Sequence, residues 1–118
     1  LEEQVLELAR RKGLEDRIIY SSFNHYSMRK IKRLLPTARV AFLYSDGILD
    51  AAEYARQNGA YAIHPSLGNM MYPDLDIVRE CHDRGVRVHV WTVNEEADIE
   101  RMRALGVDAV ITNYVERG

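Results

Sequence analysis

A helix, a glycine and then a short strand-forming run recur along this chain, around Gly13, Gly59, Gly85 and Gly106. Glycine just past a helix supplies the left-handed residue that ends it. The intervals are unequal, so the recurrence is one of supersecondary units and not of sequence. Amphipathic helices alternating with near-continuous apolar strands predict a parallel sheet joined by crossover helices. The count is five strands and five helices, beginning with a helix. At 118 residues the chain forms one domain and not two.

The elements follow from spacing and punctuation. Leu1 to Lys12 places Leu1, Val5, Leu8 and Ala9 at helical intervals. Arg17 to Ser22, with Ile18, Ile19 and Tyr20, suits a strand. Asn24 or Ser27 can cap the next helix, whose stripe is Met28, Ile31, Leu34 and Leu35 and which Pro36 ends. Arg39 to Tyr44 is the second strand and Leu49 to Asn58 the third helix. Ala60 to His64 is a short strand cut off by Pro65, followed by a loop from Ser66 to Tyr72 that is expected to be mobile and to touch ligand, or, with Met70 and Met71, to suit an interface instead. Pro73-Asp74 starts a helix with Leu75, Val78, Cys81 and His82 on one face. Val86 to Thr92 is a strand, Glu95 to Leu105 a helix, Ala109 to Thr112 the last strand, and the tail from Asn113 is polar.

Two architectures fit: a small doubly wound sheet, or part of a (β/α)8 barrel, whose whole needs about 250 residues. In the strand from Val86, Arg87, His89 and Trp91 alternate with Val86, Val88 and Val90. One face is therefore polar or aromatic and the other aliphatic. A doubly wound sheet meets helices on both faces and wants both aliphatic. A barrel turns one set to its helices and the other to an interior that becomes a polar site at the mouth. The alternation favours the barrel.

Net charge of -2 argues against a broad basic surface for nucleic acid. No apolar run reaches the length of a membrane span. The one cysteine, Cys81, forms no internal disulfide and is expected in buried packing. The chain opens in a charged helix without an initiator methionine, so an upstream segment is expected. Localisation stays open, leaning to the cytoplasm. His25 and His82 are expected on the surface or a helix face, and His89 towards a barrel interior. No His-Glu-x-x-His spacing is present. Glu95, Glu96 and Asp98 suit the positive end of a helix and not a metal cluster.

Four segments carry a resemblance: Ile19-Tyr-Ser-Ser-Phe-Asn24, Gly59-Ala-Tyr-Ala-Ile-His-Pro65, Val90-Trp-Thr-Val-Asn94 and Leu105-Gly-Val-Asp-Ala-Val-Ile-Thr-Asn113. In this order they resemble the C-terminal half of a bacterial-type glycerophosphodiester phosphodiesterase. The resemblance implies an α/β fold, the C-terminal half of a TIM-type (β/α)8 barrel of the PLC-like phosphodiesterase kind, with residues 1–118 as a single partial domain. It implies hydrolysis of glycerophosphodiesters to glycerol 3-phosphate and an alcohol, with a divalent cation, calcium or magnesium, in the complete enzyme. The family's His-Arg-Gly strand end, Glu-Leu-Asp strand and catalytic His-Asp pair have no counterpart here. The only His-Asp, His82-Asp83, falls inside a predicted helix. Val115 stands where the family usually has proline after its last strand.

The expectation is therefore a chain with no catalytic residue and no metal ligand of its own, inactive alone and binding no cation alone. Its partners would be the missing N-terminal half-barrel or a second copy of itself, around a glycerophosphodiester substrate. Ser22, Phe23, His64, Trp91 and Asn94 would form a wall of the substrate site. Each has a plainer reading. Phe23 and Trp91 can close the top of the core, Asn94 can cap the helix from Glu95, and Ser22 and His64 can serve as strand-end hydrogen bonders. The competing function is a catalytically inactive half-barrel acting as a self-associating or partner-binding structural module.

Overall fold

The computed structural model describes residues 1–72 and 74–113. The expected helix start at Pro73 and the end of the polar tail, 114–118, lie outside the described residues.

Helix α1 is Glu2–Arg11, and a 3-10 turn over Glu15–Arg17 leads into β1, Ile19–Ser22. Then come α2 (His25–Leu34), β2 (Arg39–Tyr44), α3 (Ala51–Gln57) and β3 (Ala62–Pro65). A second 3-10 turn, Leu67–Met70, precedes α4 (Ile77–Asp83), β4 (Arg87–Trp91), α5 (Glu96–Leu105) and β5 (Ala109–Ile111). The five strands form one sheet in the order β1-β2-β3-β4-β5, and every pairing is parallel. Chain order and spatial order coincide, the arrangement of a barrel wall and not of a doubly wound sheet, whose order reverses at a switch point.

The pleat sorts the side chains. Tyr20, Val40, Phe42, Tyr44, Ile63, Val88 and Val90 share the face under the helices and are all buried. Val88 and Val90 are fully enclosed, each burial stabilising by about 1.5–3 kcal/mol. Met28 and Ile31 of α2, Ala52 and Ala55 of α3, Val78 and Cys81 of α4, and Ile99 and Met102 of α5 close this core. The opposite face carries Ile19 and Ser21 of β1, Arg39, Ala41 and Leu43 of β2, and Ala62 and His64 of β3. Arg87, His89 and Trp91 of β4 and Ala109 and Ile111 of β5 complete it. Ile19, Ser21, Arg39, Arg87, Ala109 and Ile111 are exposed there. At the N-terminal end of this open face the guanidinium groups of Arg39 and Arg87 lie 5.4 and 5.1 Å from the Tyr61 ring centre, a cation–π layer.

Several expected boundaries move. Asn24, not Ser27, caps α2, its side chain accepting from the Ser27 N–H at 3.1 Å. Pro65 does not cut β3 short but ends it, in register with Tyr44. Helix α4 begins at Ile77, later than the expected start would put it, because the Asp76 carboxylate accepts from the Arg79 N–H and fixes the first turn there. Leu75 thus precedes the helix and is exposed, and His82 is exposed too, so only Val78 and Cys81 of the expected stripe face the core. Burial raises the Cys81 thiol to about 12, which keeps it an inert packing group.

Candidate functional site at the open face

Three side chains from three strands form one hydrogen-bonded chain on the open face. Ser21 Oγ lies 2.9 Å from His64 Nδ1, and His64 Nε2 lies 3.0 Å from His89 Nδ1. Ser21 ends on β1, His64 on β3 and His89 on β4. The small residues of this face, Ala41 and Ala62, leave room for the imidazole to span the sheet; both are fully buried. Trp91 fixes the arrangement from above: its Nε1–H donates to the His64 carbonyl at 2.7 Å. Phe23, just past β1, reaches the same Trp91 ring edge-on, with centroids 5.8 Å apart. Phe23 and Trp91 therefore make an apolar rim on the C-terminal side of the polar chain. The Trp91–Thr92 peptide bond is cis.

Electrostatics keep both rings neutral. Burial, and then the neighbouring His89, lower His64 from its ordinary value to about 4. His89 is also lowered, by burial first and by the Arg87 charge, with Asp108 opposing. With two neutral imidazoles, each contact holds one proton, and the chain has two directions. In one, the Ser21 hydroxyl donates to His64 Nδ1, His64 Nε2–H donates to His89 Nδ1, and His89 Nε2 carries a proton outward. In the other, every bond reverses.

The expected wall residues separate into two groups. Phe23, His64 and Trp91 are brought together on the open face. Ser22 points to the other side of the pleat, and its Oγ accepts the Asn24 N–H at 3.0 Å, stabilising the turn into α2. The serine of the open face is Ser21. Asn94 does not cap α5. Glu95 is the N-cap residue, and Asn94 Oδ1 accepts from Thr112 Oγ1 at 3.1 Å and the Asn113 N–H at 3.0 Å, tying the end of β4 to the end of β5.

His25 is not a plain surface residue. Its ring stacks on Phe42 at 4.6 Å, Nε2–H donates to the Leu43 carbonyl, and Nδ1 pairs with the Tyr54 hydroxyl at 2.8 Å. It lines a cavity of about 470 Å³ with Phe23, Phe42, Tyr54 and Asn58. His82 is exposed and pairs with Asp108 at 2.8 Å. Within the 66–72 loop, Asn69 is buried and donates to the Ser45 carbonyl and to Ser66 Oγ. Asn69 thereby anchors this loop to the end of β2 and the start of the turn after β3.

Among the described residues no three His, Cys, Asp or Glu side chains lie close enough together to hold a metal ion. No strand position of the open face carries a carboxylate. These residues do not by themselves fit a calcium or magnesium ion, which wants several oxygen ligands, and no step is derived through one. No helix among them is long and apolar enough to cross a membrane.

A one-layered run of parallel strands, helices on one face and a polar-aromatic cluster on the other, defines a partial (β/α)8 barrel of the TIM type. The sequence model of the glycerophosphoryl diester phosphodiesterase family matches residues 2–117, and the chain belongs to that family. It is 37% identical over 116 residues to a glycerophosphodiester phosphodiesterase of Caldanaerobacter subterraneus, covering 98% of this chain and 46% of the relative. A glycerophosphodiester phosphodiesterase of Bacillus altitudinis is 31% identical, over 99% of this chain and 47% of its own. The crystal structure of a glycerophosphodiester phosphodiesterase from Parabacteroides distasonis shares the fold, with a TM-score of 0.88 at 24% identity over 98% of this chain and 47% of that one. The chain thus spans about half the length of the curated relatives it matches.

Proposed function

We propose that this chain supplies the C-terminal half of the barrel of a glycerophosphodiester phosphodiesterase, walling the substrate site while another half brings the catalytic histidines and metal carboxylates. The observation that carries the reading is the pairing of family membership with the open face: the groups a barrel would turn to its mouth, Phe23, His64 and Trp91, stand together and uncovered by helices. In this reading Phe23 and Trp91 pack on the glycerol or alcohol part, and the neutral imidazole chain offers hydrogen bonds to hydroxyl or phosphate oxygens. Neutrality suits that task, because the same ring can donate or accept. Asn94 shapes the mouth indirectly, by holding the β4 and β5 ends together. A calcium or magnesium ion would sit on carboxylates from the other half, neutralising phosphate charge.

Mixing this chain with a matching N-terminal half is expected to give cation-dependent release of glycerol 3-phosphate from glycerophosphocholine. In that mixture Trp91→Ala is expected to lower kcat/KM by tenfold or more. No gain over either half alone would favour the second reading, a catalytically inactive module that associates through its open sheet. The exposed Ile19 and Ile111 on the two outer strands favour that alternative.

A further inference from the structure

We propose that Ser21, His64 and His89 form a nucleophile–base–relay triad, giving the open face a second activity: hydrolysis of small carboxylic esters through an acyl–Ser21 intermediate. The proposal does not rest on the phosphodiester reading, because all three groups belong to this chain and none takes the role assigned to the other half.

A weak hydroxyl nucleophile needs a base within hydrogen-bond reach and a third group that orients the base. Ser21 Oγ and His64 Nδ1 stand at 2.9 Å, and His64 Nε2 and His89 Nδ1 at 3.0 Å. Both imidazole nitrogens of His64 are engaged, so its ring has one orientation. The Trp91 indole holds the backbone of the same residue. Ser21 itself is exposed while His64 is buried, so an ester can reach the nucleophile and bulk water has little access to the base. The Phe23–Trp91 rim beside them is apolar enough to seat a short acyl chain.

His89 does here what a carboxylate does in other triads, and more. A buried His64 is a poor place to leave a positive charge, since burial favours its neutral form. Burial and the Arg87 charge disfavour a proton on His89 as well, but that ring is less enclosed and the Asp108 carboxylate opposes them there. In the attack, Ser21 Oγ bonds to the acyl carbon, and its proton passes to His64 Nδ1. The Nε2 proton of His64 passes to His89 Nδ1, so the positive charge rests on His89 and balances the tetrahedral oxyanion. On collapse the carbon–alkoxide bond breaks, and the alkoxide takes the proton on His64 Nδ1. Nε2 then regains its proton from His89. Water attacks the acyl–Ser21 ester by the same route, returning the serine and releasing the carboxylic acid.

The test uses the chain as it stands, with a fluorophosphonate probe read by intact mass and peptide mapping, and with p-nitrophenyl acetate turnover. The expected result is one adduct, on Ser21, and turnover that falls at least tenfold in Ser21→Ala. His64→Gln, which leaves the serine in place but removes the base, is expected to slow labelling by at least tenfold, at the lower end of what a positioned base contributes. His89→Gln can still accept the His64 Nε2 proton in a hydrogen bond but cannot take it up, so labelling should slow by less than in His64→Gln. An adduct on another residue, no adduct, or Ser21→Ala and His64→Gln variants as reactive as the parent would overturn the triad. Loss of phosphodiesterase activity in mixed halves would bear on the first reading and leave this one standing.

Discussion

The His64 imidazole is buried between a serine and a second histidine, so its titration is coupled to folding. Its folded value, about 4, lies below the ordinary 6.5. Above pH 6.5 the ring is neutral in both folded and unfolded chains, and its contribution to stability is fully present. As pH falls through 6.5 the unfolded chain takes up a proton that the folded chain refuses, and stability is lost until about pH 4, where the folded ring protonates as well. The full loss is on the order of 3 kcal/mol. His89, lowered in the same direction, adds to it. Carboxylates such as Glu53, held at about 2 by Arg56 and Arg84, lose their contribution only at lower pH. Urea midpoints at pH 7 and pH 4.5 should therefore fall steeply for the parent chain and clearly less for His64→Gln. An equal drop in both would mean that the ring is solvated and not enclosed.

At the scale of the elements, Asp108 is the joint between β5, β4 and α4. One carboxylate oxygen accepts the Val88 N–H at 2.7 Å and pairs with His82 Nε2 at 2.8 Å. Burial alone would raise its pKa, but these bonds win and hold the group below the ordinary carboxylate range. Asp108→Ala leaves the part-buried Val88 N–H unpaired, and a stability loss of about 1–3 kcal/mol is expected. Faster amide exchange at Val88 than at Val40 would locate the damage. Met102 on α5 is fully buried, and Met102→Ala should cost about 2–5 kcal/mol by leaving a cavity. The strand alternation of β4 and the glycine punctuation were legible in the sequence because each is a local pattern that burial enforces. The site was legible only in part. Ser21 and Ser22 are adjacent and chemically identical, and a shift of one residue exchanges the faces of a strand, so composition could not choose between them. His25 looked like a helix-face residue because its partners Phe42 and Tyr54 are distant in sequence. Asn94 has the composition of a cap and spends its oxygen instead on Thr112 and Asn113.

For the whole molecule, the described sheet has β1 and β5 as its outer strands, each paired on one side only. Outer strands with free backbone groups recruit further strands, and apolar side chains beside them strengthen the effect. Here Ile19 and Ile111 are exposed on those strands, and Phe23 is exposed beside them. The open face between them presents Arg87, His89 and Trp91 with no helix above. A native mass of twice 13.6 kDa or higher is therefore expected for the purified chain, or a complex with a second polypeptide where one is present. Lysine on an outer strand opposes strand addition, so Ile111→Lys should move the mass towards 13.6 kDa without loss of helix content. If pairing closes a barrel, the Trp91 indole moves from an open face to an enclosed one, and its fluorescence should shift to the blue as concentration rises through the association range. The parent chain running as a clean monomer, with Trp91 emission independent of concentration, would show that the edges are satisfied without a partner. Association that Ile111→Lys leaves untouched would place the contact on the helix layer and not on the sheet.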